Sequence, residues 1–229
     1  MALIEVKDAG KRYERGGRPF WALRHASLSV DAGEFVTLLG RSGSGKSTLL
    51  NIVVGLLKPT EGEVLLCSKR LDELTDEEAS ALRNECAGYV PQGAGVLSNL
   101  TVLDNVRLPW YLSGRGPEPE GRAQSLLNEV GLGDLSDQMP SALSGGELRR
   151  VAIARALMCS PKVIVADEPT SSLDMESAKN VVAIFRRLAD SGVGVLMVTH
   201  DSASLPLSDR IYDMAEGVLT LRGDAGTDQ

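Results

Sequence analysis

The sequence predicts an α/β fold with a mainly parallel core sheet, an antiparallel β edge and an inserted helical subdomain. Three observations lead there. The continuous apolar runs Phe35–Leu39, Lys162–Ala166 and Val193–Thr199 have the length of strands covered on both faces. Segments of helical period alternate with them, as βαβ units require. Between about Val102 and Met158 strand signals vanish and helical ones dominate, which marks an insertion into the core.

In chain order, Leu3–Lys7, Leu28–Val30 and Glu63–Leu66 read as half-exposed strands. Phe35–Leu39 is followed by a glycine-rich stretch and a helix over Ser47–Leu57. The acidic stretch Asp72–Glu78 reads as a solvated face, and Ala87–Pro91 as a short strand. Ala123, Leu126, Leu127 and Val130 repeat at helical spacing after the turn-rich Gly114–Gly121. Leu148–Met158 is a further helix. Ala178, Val181, Val182, Phe185, Leu188 and Ala189 share one face of a helix that Asp174 opens as N-cap. The expected organisation is one domain over 1–222, with its core in 1–91 and 159–222 and the helical subdomain at about 92–158. A polar tail, 223–229, follows.

Composition narrows the function classes. Of 229 residues 43% are hydrophobic and 24% charged, which is globular. Cys67, Cys86 and Cys159 give neither a disulfide framework nor a CxxC metal site, so a reducing compartment is expected. The first residues lack the apolar core of a leader, and no stretch approaches the roughly 20 apolar residues of a membrane span. A net charge of −7 argues against nucleic acid as a partner. The expectation from these features is a soluble, acidic, cytoplasmic protein.

The chemistry is concentrated in three places. Gly40-Arg41-Ser42-Gly43-Ser44-Gly45-Lys46-Ser47 fits GxxxxGK[ST] and sits between an apolar strand and a helix whose first turn adds Thr48. Glycines allow successive backbone N–H groups to curl round a phosphate at a helix start. Lys46 is expected to reach the β- and γ-phosphates of a nucleoside triphosphate, and Ser47 to offer its hydroxyl to Mg²⁺. Val163–Glu168 is an apolar strand ending in two carboxylates, with Asp167 expected to face Mg²⁺ and Glu168 an attacking water. Ser144-Gly145-Gly146 at a helix start is a second set of free N–H groups, one more than a single triphosphate needs.

In this order the motifs resemble the ATPase subunits of ABC (ATP-binding cassette) transporters, from Ile4 to about Leu221. Gly40–Ser47 resembles the Walker A motif, Gln92 the Q-loop glutamine, and Leu143–Glu147 (LSGGE) the signature. Val163–Glu168 resembles Walker B, Ser171–Asp174 the D-loop, and His200 the switch histidine. The resemblance implies a P-loop ABC-type ATPase using ATP and Mg²⁺, and a homodimer in which two copies pack head to tail. Ser144 and Gly146 of one copy then cap the γ-phosphate held by Lys46 of the other. It further implies that Gln92 binds Mg²⁺ and water, that His200 contacts the γ-phosphate, and that Asp174 acts in the D-loop. An aromatic upstream of Walker A stacks on adenine; Tyr13 matches it, with Phe20 and Trp21 nearby. Glu147 departs from the commoner glutamine and is expected to bring a carboxylate toward the partner's ATP.

Local features are similar to the lipoprotein-releasing, macrolide-efflux and cell-division branch: Gly33-Glu34-Phe35, Asp167–Thr170 (DEPT), Thr199-His200-Asp201 and Leu100–Pro109. Gly93-Ala94-Gly95 stands where these relatives often carry an aromatic. The implied function is to power a separate integral membrane subunit from the inner face of the membrane. The alternative is an ATPase that regulates a periplasmic enzyme through such a subunit. A soluble repair or translation ATPase would need a coiled-coil insertion or a second cassette. In the segment from Gln92 to Pro109, Val96, Leu97, Leu100 and Val102 are expected to be exposed, and the resemblance implies that they receive a short helix of the membrane subunit; the alternative is that they pack inside the helical subdomain.

Overall fold

The computed structural model describes residues 1–224. β1 (Ala2–Arg15) and β2 (Arg18–Asp31) form a long hairpin closed by Gly16 and Gly17, at φ +58° and +73°. Two left-handed residues are what a tight two-residue turn needs to match strand twist. The pairing passes through register shifts between Val6 and Lys11, with Asp8 and His25 at positive φ. It therefore runs well beyond the short apolar segments that announce it. β3 (Phe35–Gly40) leads into α1 (Lys46–Val53), and β4 (Glu61–Leu66) and β5 (Lys69–Arg70) complete a four-stranded antiparallel sheet in the order β2-β1-β4-β5.

α1 stops short of Leu57. Gly55, at φ +66°, turns the chain, and the Gly55 and Leu56 N–H groups donate back to Ile52 and Asn51 carbonyls. The acidic stretch also does more than face solvent: Thr75 and Glu78 form a capping box that starts α2 (Asp76–Cys86). β6 (Ala87–Val90) follows, and then a strand-free stretch with α3 (Val102–Leu112), α4 (Arg122–Glu129) and α5 (Gly145–Leu157). Val102 is fully buried and Val96 packs against the core. The expectation of a four-residue exposed face there is thus corrected: Leu97 is exposed and Leu100 half-buried. Asn105 explains the shape of this loop, since its buried amide bonds the backbone of Leu97, Leu100 and Thr101.

The remaining elements are β7 (Val163–Asp167), α6 (Met175–Asp190), β8 (Gly194–Thr199), β9 (Arg210–Ala215) and β10 (Val218–Asp224). The second sheet has the order β10-β9-β3-β8-β7-β6, parallel from β9 to β6, with β10 antiparallel at the edge. Its central strands alternate between two cores. Val36, Leu38, Val163, Val165, Leu196 and Val198 meet α1 and the antiparallel sheet. Phe35, Ile164, Ala166, Val195 and Met197 meet α5 and α6. Burial on both faces is why these strands are apolar without a break. Of the tail placed at 223–229, Gly223 and Asp224 belong to β10, and 225–229 lie outside the described residues.

Candidate functional site

Because β3, β6, β7 and β8 run parallel, their C-terminal ends share one edge of the sheet, where the crevice of such folds lies. Lys46, Gln92, Glu168 and His200 all follow those ends within a few residues. The loop after β3 is shaped by glycine. At Gly45, φ is +108° and a Cβ would lie 2.3 Å from the Ala22 carbonyl oxygen. At Gly40 a Cβ would lie 2.6 Å from the Met214 carbonyl oxygen. α1 starts with no side-chain cap and no acid in its first turn, so its leading N–H groups stay open to an anion.

Lys46 is only 5% exposed, and its Nζ donates to the Gly40 and Arg41 carbonyls at 2.7 and 2.9 Å. The same Nζ lies 3.7 Å from Glu168 Oε1. Glu168 Oε2 accepts from the Gln92 amide at 3.2 Å and lies 3.3 Å from His200 Nδ1. The Glu168 backbone is left-handed, at φ +45°, and its N–H donates to the Val198 carbonyl. Asp167 is buried beside it. Burial pushes its carboxyl up from the usual carboxylate range; a hydrogen bond with Ser47 opposes this, Glu168 adds to it, and Lys46 opposes it. A buried acid in that state gains from a nearby cation.

A cleft of about 350 Å³ opens here, within the size range of small-ligand sites. Ser42, Gly43, Gly45, Lys46, Ser47 and Thr48 line it together with Gln92, Glu168, Tyr13 and Phe20. Tyr13 and Phe20 are cross-strand partners in the β1–β2 hairpin, and their rings stack at 5.8 Å between centroids. The sequence motif points to Tyr13 alone, with Phe20 as a neighbour. The signal was available: a two-residue turn at Gly16-Gly17 sets Phe20 opposite Tyr13. Gly40, Arg41 and Ser44 support the loop from outside the cleft. Ser44 Oγ is buried without a hydrogen-bond partner among the described residues.

Ser144, Gly145, Gly146, Glu147 and Asp174 do not line this cleft. They meet one another elsewhere. Ser144 caps α5 in a capping box with Glu147, and Asp174 caps α6 by accepting from the Ser177 N–H at 2.9 Å. A Cβ on Gly146 would sit 3.0 Å from Ser177 Oγ, so glycine lets the two helix starts approach. Glu147 Oε2 accepts from both the N–H and the hydroxyl of Ser144 at 2.7 Å. The Ser144 hydroxyl bond, then its N–H, hold the Glu147 carboxyl below its usual range. In this conformation the carboxylate is turned back into the cap rather than outward. The pattern Ser-x-x-Glu already carried that signal.

A glycine-lined loop at an uncapped helix start, with a buried lysine and two carboxylates at the neighbouring strand end, defines a P-loop nucleotide site. The ABC transporter family model matches residues 23–171. An uncharacterized ABC transporter ATP-binding protein of Methanocaldococcus jannaschii is 40% identical over 94% of this chain and 96% of its own length. The macrolide export ATP-binding/permease protein MacB of Aggregatibacter actinomycetemcomitans is 41% identical over 95% of this chain. The chain spans about a third of the length of that relative, 34%. The ATP-binding cassette MJ0796, solved as a dimer in a post-hydrolysis state bound to ADP and phosphate, superimposes with a TM-score of 0.88. It is 36% identical, and the match covers 96% of this chain and all of that one. The chain belongs to the ABC transporter family, as one of its ATPase domains. Its relatives agree with the macrolide-efflux branch.

Proposed function

We propose that this chain binds and hydrolyses MgATP as a head-to-tail homodimer and thereby powers a separate integral membrane subunit. The observation that carries the reading is the buried Lys46 at the open start of α1, facing the Glu168–Gln92–His200 cluster. The residues present fit a nucleotide with its metal. Ser47, Asp167 and Gln92 would hold Mg²⁺, which when bound draws charge from the phosphate oxygens. Tyr13, with Phe20 behind it, stacks on the base. The open N–H groups of the loop and Lys46 hold the phosphates, and Lys46 neutralises charge that develops during transfer. Glu168 takes the proton of the attacking water, while Gln92 and His200 orient the carboxylate and the γ-phosphate.

Ser144 and Gly146 lie outside their own chain's cleft, which supports their service to a second copy. Mixing chains that carry Ser144→Arg with chains that carry Lys46→Ala tests this. In a head-to-tail heterodimer both lesions fall in one site and the other site is intact. ATP turnover should return in the mixture, whereas neither variant alone has an intact site. Equal behaviour of mixed and unmixed samples would overturn the shared site.

Among the described residues no helix is long and apolar enough to cross a membrane. Beside the Gln92 loop lies a groove of about 270 Å³ lined by Leu56, Tyr89, Pro109 and Cys159 with Arg83 and Arg155 at hand. Leu56, 57% exposed, is a large apolar side chain in contact with water. A short cytoplasmic helix of the membrane subunit is the occupant we assign, which places the chain peripherally on the inner face of the membrane. A charge at Leu56 or at the exposed Leu97 should release the chain from the membrane fraction. ATP binding and the melting temperature should stay as they were. Variants that remain membrane-bound, with ATPase activity still coupled, would place the docking surface elsewhere.

A further inference from the structure

α5 carries two arginines whose charges meet carbonyls rather than acids. Arg149 is 6% exposed; its Nη1 donates to the Pro91 carbonyl at 2.9 Å and its Nη2 to Ser171 Oγ at 3.5 Å. Six residues on, Arg155 donates to the Gly95 and Ala94 carbonyls at 2.6 and 3.2 Å. Among the described residues no carboxylate pairs with Arg149. Burying a guanidinium in that way is costly, and burial lowers its pKa. Its contacts are therefore telling. Pro91 immediately precedes Gln92, and Ser171 lies three residues after Glu168, with the Ser171 N–H bonded to the Glu168 carbonyl. One planar fork thus ties the Gln92 loop and the loop after Glu168 to α5, roughly 7.5 Å along the helix from Ser144.

Resting on the head-to-tail reading above, we propose that Arg149 is a positioning residue for ATP hydrolysis that couples the two sites of the dimer. The start of α5 caps the nucleotide of the partner copy, while Arg149 holds the water-orienting groups of its own chain. When α5 seats on the partner's γ-phosphate, the guanidinium draws Gln92 and the Glu168 loop into register. A lysine keeps the charge but gathers its donors on one nitrogen, so it lacks the fixed fork whose Nη1 and Nη2 meet the two acceptors separately.

The test uses Arg149→Lys and Ser171→Ala, the second removing one acceptor without disturbing the buried charge. Three quantities are compared: ATP affinity of the monomer, steady-state turnover, and the ATP concentration at which the Glu168→Gln dimer forms in sedimentation. Expected for Arg149→Lys are an unchanged monomer affinity, turnover down about tenfold or more, and dimer formation moved to about tenfold higher ATP. Ser171→Ala should shift both in the same direction by less. Turnover and dimer formation like those of the unsubstituted chain in both variants would overturn the proposal. A parallel fall of affinity, melting temperature and turnover in both would overturn it too, by showing a merely structural role. Failure of Glu168→Gln alone to dimerise with ATP would overturn the shared-site reading and, with it, the coupling.

Discussion

Glu168→Gln should abolish turnover while leaving ATP bound. The amide keeps the shape of the side chain and can still meet Gln92 and His200, which lie 3.2 and 3.3 Å from Oε2. What it lacks is a basic oxygen to take a proton from water. Loss of a positioned general base costs roughly 10²-fold or more in rate. ATP affinity should hold, because Lys46 and the loop N–H groups are untouched. The variant should therefore accumulate as an ATP-held dimer, visible by size exclusion with MgATP and absent with MgADP. Rapid-quench hydrolysis at the unsubstituted rate would remove Glu168 from the role of base. Lys46→Ala should fail earlier, at nucleotide binding itself, since it removes a nearly buried charge from the phosphate loop.

The parts of this site legible in the sequence are those built from neighbours along the chain. Gly40–Ser47 folds as strand, loop and helix because its own glycines and the flanking apolar runs dictate it, and Asp167-Glu168 ends a strand for the same reason. Asp174 as the cap of α6 was equally local. Other features depend on distant contacts. The β1–β2 hairpin extends over polar and aromatic residues whose pairing rests on register shifts near Asp8 and His25, which periodicity does not reveal. β9 and β10 gave no signal as strong as the buried runs, being near the sheet edge. An apolar segment beside charged residues suits a docking face as well as a core, and the sequence alone does not separate the two; the burial of Val102 follows from packing against the helical stretch. The contact of Arg149 with Pro91 spans 58 residues, and nothing in either segment announces the other.

Gly45→Ala should destroy nucleotide binding and destabilise the fold, whereas Gly43→Ala should leave the fold intact. Both glycines have positive φ, +108° and +79°, so alanine is strained at each. Left-handed backbone costs a residue with a Cβ about 1 kcal/mol. The difference lies in the surroundings. At Gly43 no other group lies within 4 Å of the added Cβ, and that strain is the whole penalty for the fold. At Gly45 the Cβ would lie 2.3 Å from the Ala22 carbonyl oxygen and 2.8 Å from Met214 Cε. The Met214 side chain can yield, but Ala22 is backbone of β2, two residues from Phe20 in the hairpin that also carries Tyr13. The loop must then lift away from β2, moving Lys46 and the first turn of α1 off the phosphate path. A total loss of about 3 kcal/mol is expected, against about 1 kcal/mol for Gly43→Ala. Denaturant midpoints without nucleotide read these costs, and calorimetric ATP titration reads the binding. Equal midpoints for the two variants, or ATP binding to Gly45→Ala at the unsubstituted affinity, would show that close packing against β2 does not set the loop.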